Sequence, residues 1–246
     1  MRIFRIVLII FVIMWRIAPG SSAFSSILTE DVAKTYLGKP YVSRPLAKSS
    51  PLGFDCTTYV EEVLAKRFEN PDMALNNIRF GNGGAGFFNR NHFMEKMWIP
   101  NAQRHGVIAP ISLSGAMESL IEIDLAEWYR VNPEIVIKDD AYYQQANEQE
   151  RFTASISYIP KALINEALLK ELPDETLVFF LRRYAKSPYR WLLNENAVMV
   201  KHMGFLFGGR NLYHASQTQK KVIAEDFSKY LRTNSGFCGA AFYKIN

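Results

Sequence analysis

The chain contains two cysteines and four histidines, and three of these side chains stand where they could share one reaction. Cys56 lies in "PLGFDCTTYVEEVLA", directly ahead of a run with apolar Val60, Val63, Leu64 and Phe68 at the spacing of one helical face. Asp55 suits the N-cap of that helix, because its carboxylate can accept bonds from free backbone N–H groups. A cysteine at a helix start is expected to have a lowered thiol pKa, since the partial positive charge there favours the thiolate. A histidine within hydrogen-bond reach, itself oriented by a second polar group, would complete a nucleophile of the cysteine–histidine type.

Two of the four histidines supply those partners in one hairpin, "HMGFLFGGRNLYHAS". With a three-residue loop, Gly208 to Arg210, Phe207 pairs with Asn211 and His214 faces Gly204. His202 and His214 then project from the same face as diagonal neighbours, whereas a two-residue loop would put them on opposite faces. His92 and His105 have no such arrangement, although His92 follows a glycine-rich stretch and is a candidate to line a cleft.

Other readings of the same residues stay open. Cys56 can be a buried apolar thiol, or half of a disulfide with Cys238 in a non-catalytic binding module. Cys56, His202 and His214 are also acceptable zinc ligands, but no His-Glu-x-x-His pair accompanies them, so the sequence predicts no metal and no organic cofactor. "GNGGAG" lacks the Lys-Ser/Thr ending of a phosphate loop, which excludes nucleotide binding on that motif.

The elements that must hold these groups follow a simple order. "LTEDVAKTYLGKPY" reads as a short helix capped by Thr29 and stopped by Gly38 and Pro40. "SGAMESLIEIDLAEWY" and "PKALINEALLKEL" read as helices, and "ETLVFFLRR", "VMVKHMGFLF", "NLYHAS", "KVIAEDF" and "GFCGAAFYKI" as strands. Helices first and consecutive strands later indicate an α+β fold with an antiparallel sheet. The segment from about 69 to 157 reads as an elaboration within a single domain covering 24–246.

Composition is that of a globular chain, 48% hydrophobic and 22% charged, which excludes extensive disorder. Residues 1–23 differ from the rest. Arg2 and Arg5, the apolar run Ile6–Trp15, then Pro19, Gly20, Ser21 and Ala23 have the layout of a secretory signal. The run is short for a bilayer span of about 20 residues, so export, with a periplasmic destination, is expected over a retained membrane anchor. Removal of Arg2, Arg5 and Arg16 lowers the net charge from +5 to +2, which argues against a nucleic-acid partner. A monomer is expected.

Four segments, in order, resemble one family. "GKPYVSRPLAKSSPLGFDCTTYVEEVLA" is similar to the nucleophile segment of NlpC-type cell-wall cysteine peptidases and amidases, and "KHMGFLFGGRNLYHAS" to their histidine segment. "DCTT", "RNHFMEKMWIPNA" and "YIPKAL" resemble the N-acetylmuramoyl-L-alanine amidase-like branch. The resemblance implies a papain-like α+β fold with helices packed on an antiparallel sheet, and cysteine-dependent hydrolysis of an amide in peptidoglycan or muropeptides. It also implies Cys56 as nucleophile, His202 as base, His214 as orienting residue and Tyr41 beside the oxyanion. Arg90, with His92 and Asp55, falls on the substrate side. The implied scissile bond joins N-acetylmuramic acid to L-alanine; the alternative lies between D-glutamate and the diamino acid of the stem peptide. The chain departs from the branch at "MVK", at "PDETLVFF" and in the long "RRYAKSPYRWLLNENA" segment.

Overall fold

The computed structural model describes residues 28–43, 52–80, 86, 88–131, 144–145, 147–185 and 189–246. The expected signal segment and most of the glycine-rich loop lie outside the described residues. Helices α1 (Thr29–Lys34), α2 (Cys56–Ala65), α3 (Pro71–Arg79) and α4 (Ile99–Arg104) come first, with a π-helical turn, Met94–Trp98, leading into α4. There follow β1 (Ile108–Pro110), β2 (Met117–Asp124), α5 (Leu125–Val131), β3 (Arg151–Pro160), α6 (Glu166–Glu171), β4 (Glu175–Tyr184), β5 (Ala197–Phe207), β6 (Asn211–Ser216), β7 (Lys221–Asp226), α7 (Phe227–Thr233) and β8 (Gly239–Ile245). The strands form one antiparallel sheet in the order β2-β3-β8-β4-β5-β6-β7, with β1 added against β8.

Strand β4 explains how the sheet is held. Its run Thr176–Leu181 is wholly buried because both faces are covered. Leu177, Phe179 and Leu181 join a core built with Tyr59, Val60, Val63 and Leu64 of α2. Val178 and Phe180 point the other way, into a smaller core with Leu168 and Leu169 of α6 and Phe227 and Leu231 of α7. The alternation of side chains along one strand thus divides a continuous apolar sequence between two cores.

Three sequence expectations need correction. "SGAMESLIEIDLAEWY" is not one helix: Met117–Asp124 is strand β2 and only Leu125–Val131 is helical. Ser119, Ile121 and Ile123 bury every second side chain, the period of a strand, and β-branched isoleucine favours that state. "PKALINEALLKEL" contains a short 3-10 turn, Lys161–Leu163, and then α6 beginning after Asn165, whose side chain accepts the Leu168 N–H at 3.0 Å. Thr29 is the first helical residue of α1 and not its cap. The free N–H groups of that helix end are met instead by a distant carboxylate: Glu175 accepts from Thr29 N at 2.7 Å, Thr29 Oγ1 at 2.7 Å and Glu30 N at 3.3 Å.

Candidate active site

Asp55 caps α2 in the expected way. Its Oδ1 accepts the Thr58 N–H at 2.8 Å and the Thr58 hydroxyl at 2.8 Å, while its own N–H donates to Thr58 Oγ1 at 3.0 Å. The carboxylate is therefore engaged in building the helix start. Because the cap takes the N–H of Thr58, it leaves that of Cys56 at the open helix end. The Thr57 hydroxyl and the backbone N–H groups of Thr57 and Met203 reach the Cys56 sulfur. Met203 is the strand neighbour of His202, so α2 and β5 meet at the sulfur.

The hairpin has the register read from its sequence. Phe207 pairs with Asn211 and Phe205 with Tyr213, closed by the loop Gly208–Arg210. His202 Nε2 lies 2.7 Å from His214 Nδ1, and His214 Nε2 lies 2.8 Å from Glu225 Oε1 on β7. Gly204 makes this approach possible, since a Cβ there would stand 2.9 Å from the His214 Cβ and 2.7 Å from the Tyr213 carbonyl oxygen. A bulge in β4–β5 helps aim His202: Phe180 pairs with His202 but Leu181 with Val200, leaving Lys201 as the extra residue. The Tyr230 ring covers the pair, 4.7 Å from the His214 ring and 5.9 Å from the His202 ring between centroids.

The direction of these bonds follows from donor and acceptor chemistry. The Glu225 carboxylate only accepts, so His214 presents Nε2–H to it and keeps a lone pair on Nδ1. That lone pair accepts from His202 Nε2–H, and a neutral His202 then has its Nδ1 lone pair free to take a proton. Glu225 thus selects the tautomers of two rings in series. The sequence reading missed it. The available signal was its place on "KVIAEDF": His214 pairs with Ile223, so Glu225 is the diagonal neighbour on the same face.

Electrostatics correct one expectation. Burial, then the Asp55 carboxylate, push the Cys56 thiol up to about 12, overriding the helix-end effect expected from sequence. Burial, His214 and Lys201 hold His202 well below the ordinary histidine value. Both shifts favour the neutral thiol and the neutral imidazole at neutral pH. Cys56 and Cys238 are both free, and the Cys238 thiol donates to the Leu181 carbonyl at 3.4 Å, so the two are not joined.

Cys56 and His202 line one cavity of about 200 Å³, walled also by His92, Glu95, Trp128 and Lys201. His92 is therefore at the cavity, its ring 5.2 Å from that of Trp128. Tyr41 lies next to the segment that leads into Cys56, pairing with Phe54, and burial, Cys56 and Asp55 raise its hydroxyl to about 12. Arg90 is not among the residues lining the cavity; its Nη2 lies 3.6 Å from buried Glu61, in an internal charge cluster. Among the described residues no group of three or more His, Cys, Asp or Glu side chains is arranged to hold a metal ion. His202 and His214 direct ring nitrogens at one another, which does not suit joint ligation.

The fold class is mixed α+β, helices against an antiparallel sheet, with a cysteine at a helix start and a histidine pair on the adjoining hairpin. The family model of N-acetylmuramoyl-L-alanine amidase-like (AmiA-like) proteins matches residues 31–237, and the chain belongs to that family. Solved structures share the fold. A DUF1460-family protein of Legionella pneumophila str. Philadelphia 1 has a TM-score of 0.74 at 20% identity, covering 88% of this chain and 87% of its own. An N-acetylmuramoyl-L-alanine amidase of Bacteroides uniformis ATCC 8492 has a TM-score of 0.64 at 22% identity, covering 89% and 97%. A Bacteroides fragilis protein named as a xylanase candidate has 0.63 at 19%, covering 87% and 100%. No curated protein matches the chain. Among the described residues no helix is long and apolar enough to cross a membrane.

Proposed function

We propose that the protein is a cysteine-dependent amidase of the papain-like NlpC type that cleaves the bond between N-acetylmuramic acid and L-alanine in peptidoglycan or muropeptides. The observation that carries this reading is the hydrogen-bonded chain His202–His214–Glu225, with Cys56 and His202 lining one cavity, in a chain of the amidase-like family. His202 Nδ1 takes the thiol proton as the sulfur attacks the lactyl carbonyl carbon. With both groups resting neutral, transfer and attack proceed together. The backbone N–H of Cys56 at the helix start, helped by Tyr41, receives the oxyanion. Collapse breaks the C–N bond, and His202 returns its proton to the departing amine of L-alanine. Water, deprotonated by His202, then hydrolyses the thioester, freeing the muramic carboxylate and restoring the thiol. Glu225 and His214 stabilise the imidazolium formed at each step. No step in this reading needs a metal or an organic cofactor. The enzyme is read as one catalytic domain, 24–246, acting as a periplasmic monomer after loss of residues 1–23.

The test is digestion of defined muropeptides with mass analysis of the products. Free stem peptide beginning with L-alanine is expected, and Cys56→Ala, still folded, is expected to release none. A dipeptide left on the sugar would move the cut to the D-glutamate bond. Full activity in Cys56→Ala would overturn cysteine catalysis.

A further inference from the structure

The proton path leaves one part of the cavity wall unused: His92, Glu95 and Trp128. Glu95 is a buried carboxyl, 7% exposed, set in the π-helical turn, and it forms no ion pair among the described residues. Its Oε1 accepts the Val200 N–H at 2.5 Å, and its own backbone N–H supplies a second bond. A carboxylate has about four lone-pair sites, so acceptor capacity remains for an occupant of the cavity. Burying an acid without a cation costs free energy, which makes a cavity-lining example a candidate for function. Half-buried Trp128, packed at 5.1 Å on Phe93, adds an aromatic side chain to the lining of the same cavity.

We propose that Glu95 and Trp128 form the subsite for the sugar half of the substrate: Glu95 accepts hydrogen bonds from hydroxyl or acetamido N–H donors, and Trp128 stacks on the C–H face of the ring. The inference rests on the amidase reading and assigns an end of the substrate to a place. A stem peptide carries carboxylates, and a buried carboxyl offers them no counter-charge. A neutral N-acylated amino sugar offers the donors and the apolar face this wall accepts. Lys201, exposed at the rim of the same cavity, is left to face the anionic peptide.

Calorimetry on the folded Cys56→Ala protein tests this without turnover. The probes are N-acetylmuramoyl-L-alanine and N-lactoyl-L-alanine, which shares the amide but lacks the sugar. The sugar-bearing probe is expected to bind at least about tenfold tighter. Adding Glu95→Gln or Trp128→Ala is expected to remove about tenfold of that affinity and leave the sugarless probe unchanged. Glutamine keeps the acceptor for Val200 N–H but offers the cavity an N–H donor, so it discriminates an accepting carboxylate from a donating acid. Equal binding of the two probes, or variants that change both equally or neither, would overturn the subsite. If selective sugar binding survives while wild type cleaves no muropeptide, the subsite stands and the amidase reading fails.

Discussion

Glu61 and Glu95 are both buried acids near the same helices, and their surroundings could hardly differ more. Glu61 Oε2 receives Arg79 Nε at 2.7 Å and has Arg90 Nη2 at 3.6 Å, while Oε1 receives Trp98 Nε1 at 3.1 Å. Both oxygens of the Glu61 carboxylate and its charge are matched inside the protein, so this acid is not offered to a ligand. Among the described residues Glu95 has backbone N–H donors only, and it lines the cavity. The contrast separates scaffold from site: compensated charge locks α2 to α3 and to the π-turn, whereas a buried acid with no cation beside it keeps acceptor capacity for an occupant. It also explains Arg90. The basic residue expected on the substrate side faces an internal carboxylate and is not among those lining the cavity.

Breaking the first of these acids is expected to have the largest effect. Glu61→Gln removes the nearer counter-charge of Arg79, itself 3% exposed, and leaves it only the Glu62 carboxylate at 3.8 Å, at a cost of about 3 kcal/mol. Urea unfolding measures it. Activity per folded molecule should be unchanged, since Glu61 does not line the cavity. A loss below about 1 kcal/mol would mean that the cluster is no scaffold.

The second acid gives a pH signature of the opposite kind. Burial raises Glu95 from 4.5 to about 7, its two backbone bonds acting against that rise. A raised acid favours the fold while it is protonated in both states, so this contribution is complete below pH 4.5 and is lost as pH rises toward 7. The shift corresponds to about 3 kcal/mol. Subtracting the unfolding free energy of Glu95→Gln from that of wild type across pH 4–8 should show this decline. A flat difference would mean that the carboxyl is hydrated or paired.

The same contrast governs what the sequence could reveal. The histidine pair was legible because hairpin geometry is local: a three-residue loop and a period of two fix which side chains share a face. The cap at Asp55 was legible for the same reason, since both partners lie within one turn. Glu225 needed the register of a third strand, set by the turn Gln217–Lys220, and Glu175 capping α1 needed the whole sheet. Glu95 was hidden further. A π-turn, with Trp98 N–H donating to the Phe93 carbonyl at 3.1 Å, breaks the 3.6-residue period by which a buried face is recognised. In β2, Ile121 and Ile123 read as helix because the apolar residues of α5 follow without a break. The thiol pKa was misjudged because sequence shows the helix end and not the burial that outweighs it.

Glu225 tests the smallest difference, between a carboxylate that merely closes a hydrogen-bond chain and one that sets its direction. Glu225→Ala removes both the acceptor and the charge, so His214 can present either nitrogen to His202 and the productive tautomer becomes one of two. About a tenfold fall in kcat is expected, with smaller loss in Glu225→Gln, whose amide oxygen can still accept from Nε2–H. Burial already holds the acid limb that belongs to His202 below 6.5. Loss of a negative charge behind the pair destabilises the imidazolium, so the limb should move to still lower pH in both variants. If Glu225→Ala lowers kcat without moving the limb, the residue supports the hairpin only. An unmoved limb with unchanged kcat would remove Glu225 from the path and leave His214 to orient His202 alone.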